Sequence, residues 1–135
     1  MTRVCLDSNV LVAAFVARGL CADLLRLVLA EHEMVPLEVV GEEVRRVLAE
    51  KLQASEEALS AEEAVLGRFE AVARGDAVSP IDLRHPDDER VLADAILADA
   101  AVLVSGDDDL LSVAADSPIR ILSPRAFMVL VRSGP

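Results

Sequence analysis

Hydrophobic positions along this chain keep two different rhythms, and the switches between them mark out strands and helices. Arg3-Val-Cys-Leu-Asp7 is a continuous apolar run ended by a carboxylate, as expected of a strand buried on both faces whose C-terminal end emerges from a sheet. Ala101-Val-Leu-Val-Ser105 has the same character and runs straight into Gly106-Asp107-Asp108-Asp109. Shorter strands are predicted at Met34-Val35, Ala77–Ile81 and Ile119–Leu122. Between them the apolar spacing turns helical. Val10–Ala17 reads as a short helix packed all round, and Ala22–Glu31 as an amphipathic one with Leu24, Leu25, Val28 and Leu29 on a single stripe. Leu37, Val40, Val44, Val47 and Leu48 recur at three- and four-residue steps and predict a helix from Leu37 to Lys51, with Glu43 and Arg46 on one flank.

Capping chemistry supplies the remaining boundaries. Ser60-Ala-Glu-Glu63 has the form of a capping box and predicts a helix running to Ala73, closed by Gly75-Asp76. Pro86 sits in the polar loop Asp82–Asp88 and points to a helix from Asp87 to Asp99. Leu110–Ala115 is helix-like, and Ser123-Pro124 offers an N-cap and a first-turn proline to a terminal helix ending near Arg132. Strands alternating with helices imply parallel crossovers, hence a three-layer α/β/α sandwich around a mostly parallel sheet. With no repeat, linker or low-complexity tract, residues 1–135 are expected to form one domain.

Composition narrows the function. At 135 residues and 53% hydrophobic, with six glycines and six prolines, the chain can bury a core. The mean hydropathy is +0.41, yet no window approaches the roughly 18 charge-free residues needed to span a bilayer. Met1–Ala22 lacks the layout of a secretory signal, so a cytoplasmic protein is expected. Cys5 and Cys21 have no CxxC or histidine partners and read as buried thiols in a reducing compartment. Tyr and Trp are absent and Phe15, Phe69 and Phe127 are scattered, which excludes stacking platforms for single-stranded nucleic acid.

The acids carry the chemistry. Ligands of open parallel sheets bind beyond the carboxyl ends of the strands, where Asp7 and Asp107 are expected. Asp88 opens the helix before the Asp107 strand, and Glu43 lies on the helix after Pro36, with Glu42 an equal candidate on spacing alone. Taken singly, Asp7 and Asp107 would be helix caps and Glu43 a solvated residue. Taken together, four carboxylates in one cleft repel and must hold protons or a cation. Oxygen ligands without histidine or cysteine select Mg²⁺ or Mn²⁺, and such a site suits phosphodiester hydrolysis. The net charge of -11 weighs against a nucleic-acid substrate. Arg45, Arg46, Lys51, Arg84 and Arg90 fall near the proposed cleft and are expected to give it a basic rim. His85 is expected to be exposed, and Asp87, Asp94 and Asp99 to be surface acids.

At this point the sequence resembles the PIN-domain ribonucleases, and within them the VapC-like toxin components of bacterial toxin–antitoxin systems. Val4-Cys-Leu-Asp-Ser-Asn-Val-Leu11, Glu43-Val-Arg-Arg-Val-Leu48, Pro86-Asp-Asp88-Glu-Arg-Val-Leu-Ala-Asp-Ala95 and Val102-Leu-Val-Ser-Gly-Asp-Asp-Asp-Leu-Leu111 look like the four family segments, in order. The resemblance implies Asp7, Glu43, Asp88 and Asp107 as metal-binding catalytic acids, Asp109 as an auxiliary acid, and Ser8, Asn9 and Ser105 as polar supports. It settles Glu43 over Glu42, and the spacing to Ala95 prefers Asp88 over Asp87. His85 replaces the aspartate that often precedes the proline, and Ser105 replaces a common threonine. An RNA substrate and an inhibitory antitoxin follow from the resemblance. The surplus of apolar residues points to a homodimer. Two rivals remain: a catalytically silent PIN-like protein-binding module, and a haloacid-dehalogenase-type phosphatase. The second needs another aspartate where Asn9 stands and a lysine near the nucleophile, whereas Lys51 is the sole lysine among 13 basic residues.

Overall fold

Strand β1 (Arg3–Leu6) lies inside a four-stranded parallel sheet, flanked by β2 (Glu33–Met34) on one side and β3 (Val102–Val104) on the other, with β4 (Arg120–Leu122) at the far edge. Val4 pairs with Met34 and Val102, and Leu6 with Val104. Val4, Cys5, Leu6 and all of β3 are buried, which is why both strands are uninterrupted apolar runs. The computed structural model describes residues 2–133. Helices α1 (Ser8–Val16), α2 (Leu20–Glu31), α3 (Glu38–Arg46), α4 (Glu56–Leu66), α5 (Pro86–Leu97), α6 (Asp108–Ser112) and α7 (Pro124–Ser133) complete a three-layer α/β/α sandwich. Among the described residues no helix is long and apolar enough to cross a membrane.

This strand order places the functional crevice. From β1 the chain turns outward to β2, whereas from β3 it turns the opposite way to β4, so the order reverses between β1 and β3. The C-terminal ends of these two strands therefore diverge into a gap. Local chemistry fixes the helices that line it. Asp7 caps α1, Pro86 occupies the first turn of α5, and Asp107 caps α6. At the far end of the chain Ser123 Oγ accepts from Ala126 N at 3.1 Å and starts α7 as the sequence predicts.

Several expectations need correction. The fourth helix begins at Glu56, four residues before the Ser60 box, because Ser55 Oγ accepts from Ala58 N at 3.1 Å and offers an earlier cap. It ends at Leu66 rather than Ala73. Ala77–Ile81 is not a strand: Ser79 Oγ bonds both the N–H and the carbonyl of Ile81, closing a local turn. The sheet-like contact falls earlier, where Val72 N donates to Pro36 O at 2.8 Å and Glu38 N to Val72 O at 2.9 Å. The helix predicted to Lys51 continues as predicted but loosens into a π turn over Val47–Lys51. Cys21 is only half-buried, whereas Cys5 is a core thiol pushed up to about 12 by burial. Both are free.

Asp94 is the largest departure. Expected at the surface, it is 1% exposed and forms an ion pair with Arg90 at 2.9 Å, one turn away on α5. Its Oδ1 also accepts from Gly75 N at 3.2 Å, and the Arg90 guanidinium donates to Ala77 O at 2.8 Å. The pair thus pins the irregular segment 67–85 to α5 and supplies backbone partners that a strand would otherwise provide. Arg90→Ala would leave a buried carboxylate without its counter-ion, and we expect a loss of about 3 kcal/mol or more in urea unfolding. A loss below about 1 kcal/mol, typical of exposed pairs, would contradict the anchoring role.

Candidate active site

Asp7 stands at the end of β1, 4% exposed, and its carboxylate is held on both oxygens. Ser8 N donates to Oδ1 at 2.8 Å, and Ser105 Oγ and Asn9 Nδ2 donate to Oδ2 at 2.7 and 3.2 Å. Ser105 and Asn9 also stitch the two strand ends together: Asp107 N donates to Ser105 Oγ at 3.0 Å, and Gly106 N to Asn9 Oδ1 at 2.7 Å. A Cβ at Gly106 would lie 3.2 Å from Asn9 Oδ1, so the glycine admits this close approach. The three polar supports read from the sequence therefore all touch Asp7 or its tether.

Four of the sequence-predicted acids share one cleft. Asp7, Glu43, Asp88 and Asp107 line a depression of about 670 Å³ over the β1/β3 gap. Asp107 presents its Oδ1 to Asp109 N at 2.8 Å. Asp88, in the first turn of α5, has a buried Oδ2 that no donor meets among the described residues. Asp88, Asp107 and Asp109 each place one oxygen within 4.8 Å of the others. Glu43 rather than Glu42 faces the acids, since Glu42 points to Arg74 at 3.1 Å.

Crowding shows in the titration of the group. Burial raises the Asp7 carboxyl above its usual range, opposed by the Ser105 and Ser8 hydrogen bonds and reinforced by the charges of Glu43 and Asp107. Asp88 is pushed up from 3.8 to about 6, chiefly by desolvation, then by the charges of Asp107 and Asp7 and a hydrogen bond with Asp107, with His85 opposing. Two carboxylates about 4 Å apart repel by about 4 kcal/mol at an effective dielectric of about 20. An unpartnered carboxylate oxygen beside further acids, in a cleft lined by no histidine or cysteine among the described residues, fits a hard divalent cation.

The basic rim is smaller than the sequence predicts. Arg45 pairs with buried Glu62 at 3.0 Å on the other side of α3, Arg90 is committed to Asp94, and Arg46 and Lys51 are exposed and do not line the cleft. Arg84 alone of the five reaches the acids, 3.7 Å from Asp109, with His85 3.8 Å from the same carboxylate. The remaining wall is apolar. Val12, Ala13, Val16, Val47 and Leu52 border the acids, and Val16 and Leu52 are 46% and 50% exposed. Periodicity alone reads Val10–Ala17 as packed all round and carries no signal for this lip.

An α/β/α sandwich with an acidic crevice at its strand-order reversal defines a class of protein. The sequence model of the PIN domain matches residues 3–109, and the chain belongs to the PIN-domain family. The fold is shared with the crystal structure of VapBC2 from Rickettsia felis bound to a DNA fragment from their promoter. The match has a TM-score of 0.64 and 15% sequence identity, and covers 90% of this chain and 98% of that one. No curated protein sequence matches.

The raised carboxyl of Asp88 sets a sign for stability. The folded, metal-free protein holds this proton more tightly than the unfolded chain, so the group's contribution falls as pH rises from about 4 through about 6. In chelator, thermal unfolding should show the parent losing stability across that window and Asp88→Asn losing less. An equally steep profile in the variant would remove Asp88 from the crowded group.

Proposed function

We propose that this protein is a metal-dependent endoribonuclease acting in the cytoplasm as the toxin of a bacterial toxin–antitoxin pair. The observation that carries the reading is the convergence of Asp7, Glu43, Asp88 and Asp107 on one cleft, with Asp88 Oδ2 meeting no donor among the described residues. Family membership supports nuclease chemistry, and the fold shared with a VapBC2 structure supports a protein antitoxin.

Asp7, Glu43, Asp88 and Asp107 would hold Mg²⁺ or Mn²⁺, with Asp109 as an auxiliary ligand. A bound cation of this kind makes a water nucleophilic at neutral pH and neutralises charge developing on phosphate. The chain's own part is preorganisation. Ser105, Ser8 and Asn9 hold the Asp7 carboxylate in one orientation, and the Asn9–Gly106 and Ser105–Asp107 bonds keep the second strand end in register with it. Arg84 is the cation at the cleft best placed to meet a backbone phosphate. A homodimer would cover apolar surface such as Val129 on α7, 60% exposed.

The test is cleavage of a mixed RNA substrate with Mn²⁺. Asp7→Asn and Asp107→Asn should each slow cutting by roughly a hundredfold or more while leaving the fold intact by circular dichroism. Variants that cut as fast as the parent would overturn the mechanism. Release of phosphate from a small monoester with RNA left whole would reassign the protein to phosphatase chemistry. Metal binding without either activity would make it a silent binding module. RNA affinity should fall with added salt, and the slope should shrink by about one phosphate contact in Arg84→Ala.

A further inference from the structure

Val16 and Leu52 border two depressions at once. On one side lie the acids of the cleft. On the other, a second depression of about 750 Å³ is lined in part by Arg18, Arg26, Gln53 and Glu57. The two aliphatic side chains are 46% and 50% exposed, and they form a wall that the cleft and its neighbour share. Charge separates this depression from the rest of the surface. In four others acids outnumber arginines, in keeping with a net charge of -11, whereas here two arginines face one glutamate. Arg26 pairs with Asp23, but exposed Arg18 meets no carboxylate among the described residues.

Gln53 is the second observation. It follows Leu52 at the end of the π turn, where Leu52 N donates to Val47 O at 2.9 Å and Ala54 N to Leu48 O at 2.8 Å. Closing the helix in this way puts Gln53 at a φ of 45°, the left-handed region in which glycine is usual and a side chain is strained. The strained residue is exposed and borders the second depression, to which its amide offers both a donor and an acceptor. A strand with one phosphate over the acids reaches this depression by crossing the wall, and beyond the wall it meets an unpaired cation and an amide. An aliphatic wall holds neighbouring bases apart, in place of the aromatic platforms that this chain lacks.

We propose that the depression beyond Val16 and Leu52 is a second nucleotide subsite, taking the residue of single-stranded RNA next to the one whose phosphate lies over the acids. Arg18 meets its phosphate, Gln53 meets the edge of its base, and the wall keeps that base unstacked from its neighbour. The subsite rests on the nuclease reading.

The test compares Mn²⁺-dependent cutting of mixed-sequence RNA dinucleotides and tetranucleotides by the full chain. The parent should cut tetranucleotides with a KM at least about fivefold lower. Arg18→Ala and Gln53→Gly should each lose most of that advantage, with kcat and dinucleotide cutting unchanged. Arg18→Ala should also reduce the salt dependence of RNA affinity by about one phosphate contact, and Gln53→Gly should leave it alone. Because glycine relieves the left-handed strain, Gln53→Gly should unfold thermally no earlier than the parent, which separates lost binding from a damaged fold. Equal KM values for the two lengths, or a length advantage that survives both variants, would overturn the subsite and leave the nuclease reading standing. A parent that cuts neither length would overturn both. Arg18→Ala and Leu52→Ala variants that change only self-association in analytical ultracentrifugation would assign the wall to a second copy of the chain and remove RNA from it.

Discussion

Mutual repulsion among carboxylates at the ends of β1 and β3 is the constraint around which the rest of the molecule is arranged. Like charges brought into a half-dry crevice separate unless something holds them. Here the holding is done by neutral dipoles. Asp7 accepts from a backbone N–H, a serine hydroxyl and an asparagine amide, none of which cancels its charge. The crevice therefore stays negative while its geometry is fixed, the condition for a cation site rather than an internal salt bridge. Arginines elsewhere are spent on burial: Arg90 neutralises Asp94, and Arg45 meets Glu62. Where the chain needs a carboxylate for structure it supplies a guanidinium, and where the cleft collects carboxylates it largely withholds one.

The parallel sheet turns that electrostatic problem into a topological one. Asp7 and Asp107 are far apart in sequence but end adjacent strands, and the reversal of strand order between β1 and β3 leaves open space above both. Helix starts bring in the others. Asp88 belongs to the first turn of α5, where an acid suits the positive end of the helix dipole, and Asp107 caps α6. The same residues thus serve folding and assemble the site.

Much of this was legible in the sequence because both strands and their terminal acids are local signals. Apolar runs ended by aspartate located β1 and β3, and the helical spacing after Pro36 put Glu43 on a definite flank. What escaped was set by distant partners. Asp94 looks like a surface acid until Arg90 and the segment around Gly75 close over it, and no periodicity announces a salt bridge that anchors an irregular strap. Ser60 satisfies the capping-box pattern, but Ser55 satisfies the cap first, and a helix begun earlier simply runs through the second signal. The expected basic rim failed for a related reason: sequence proximity placed Arg45 and Arg90 near the acids, whereas helix rotation turned each toward an internal carboxylate.

Helix α3 has its own implication. One helix carries Glu43 on the flank toward the acids and Gly41 on the flank toward the depression between α3 and α4, so the two surfaces share a single supporting element. Holding Glu43 in place is thus left to the side of the helix that packs on the core through Val40 and Val44.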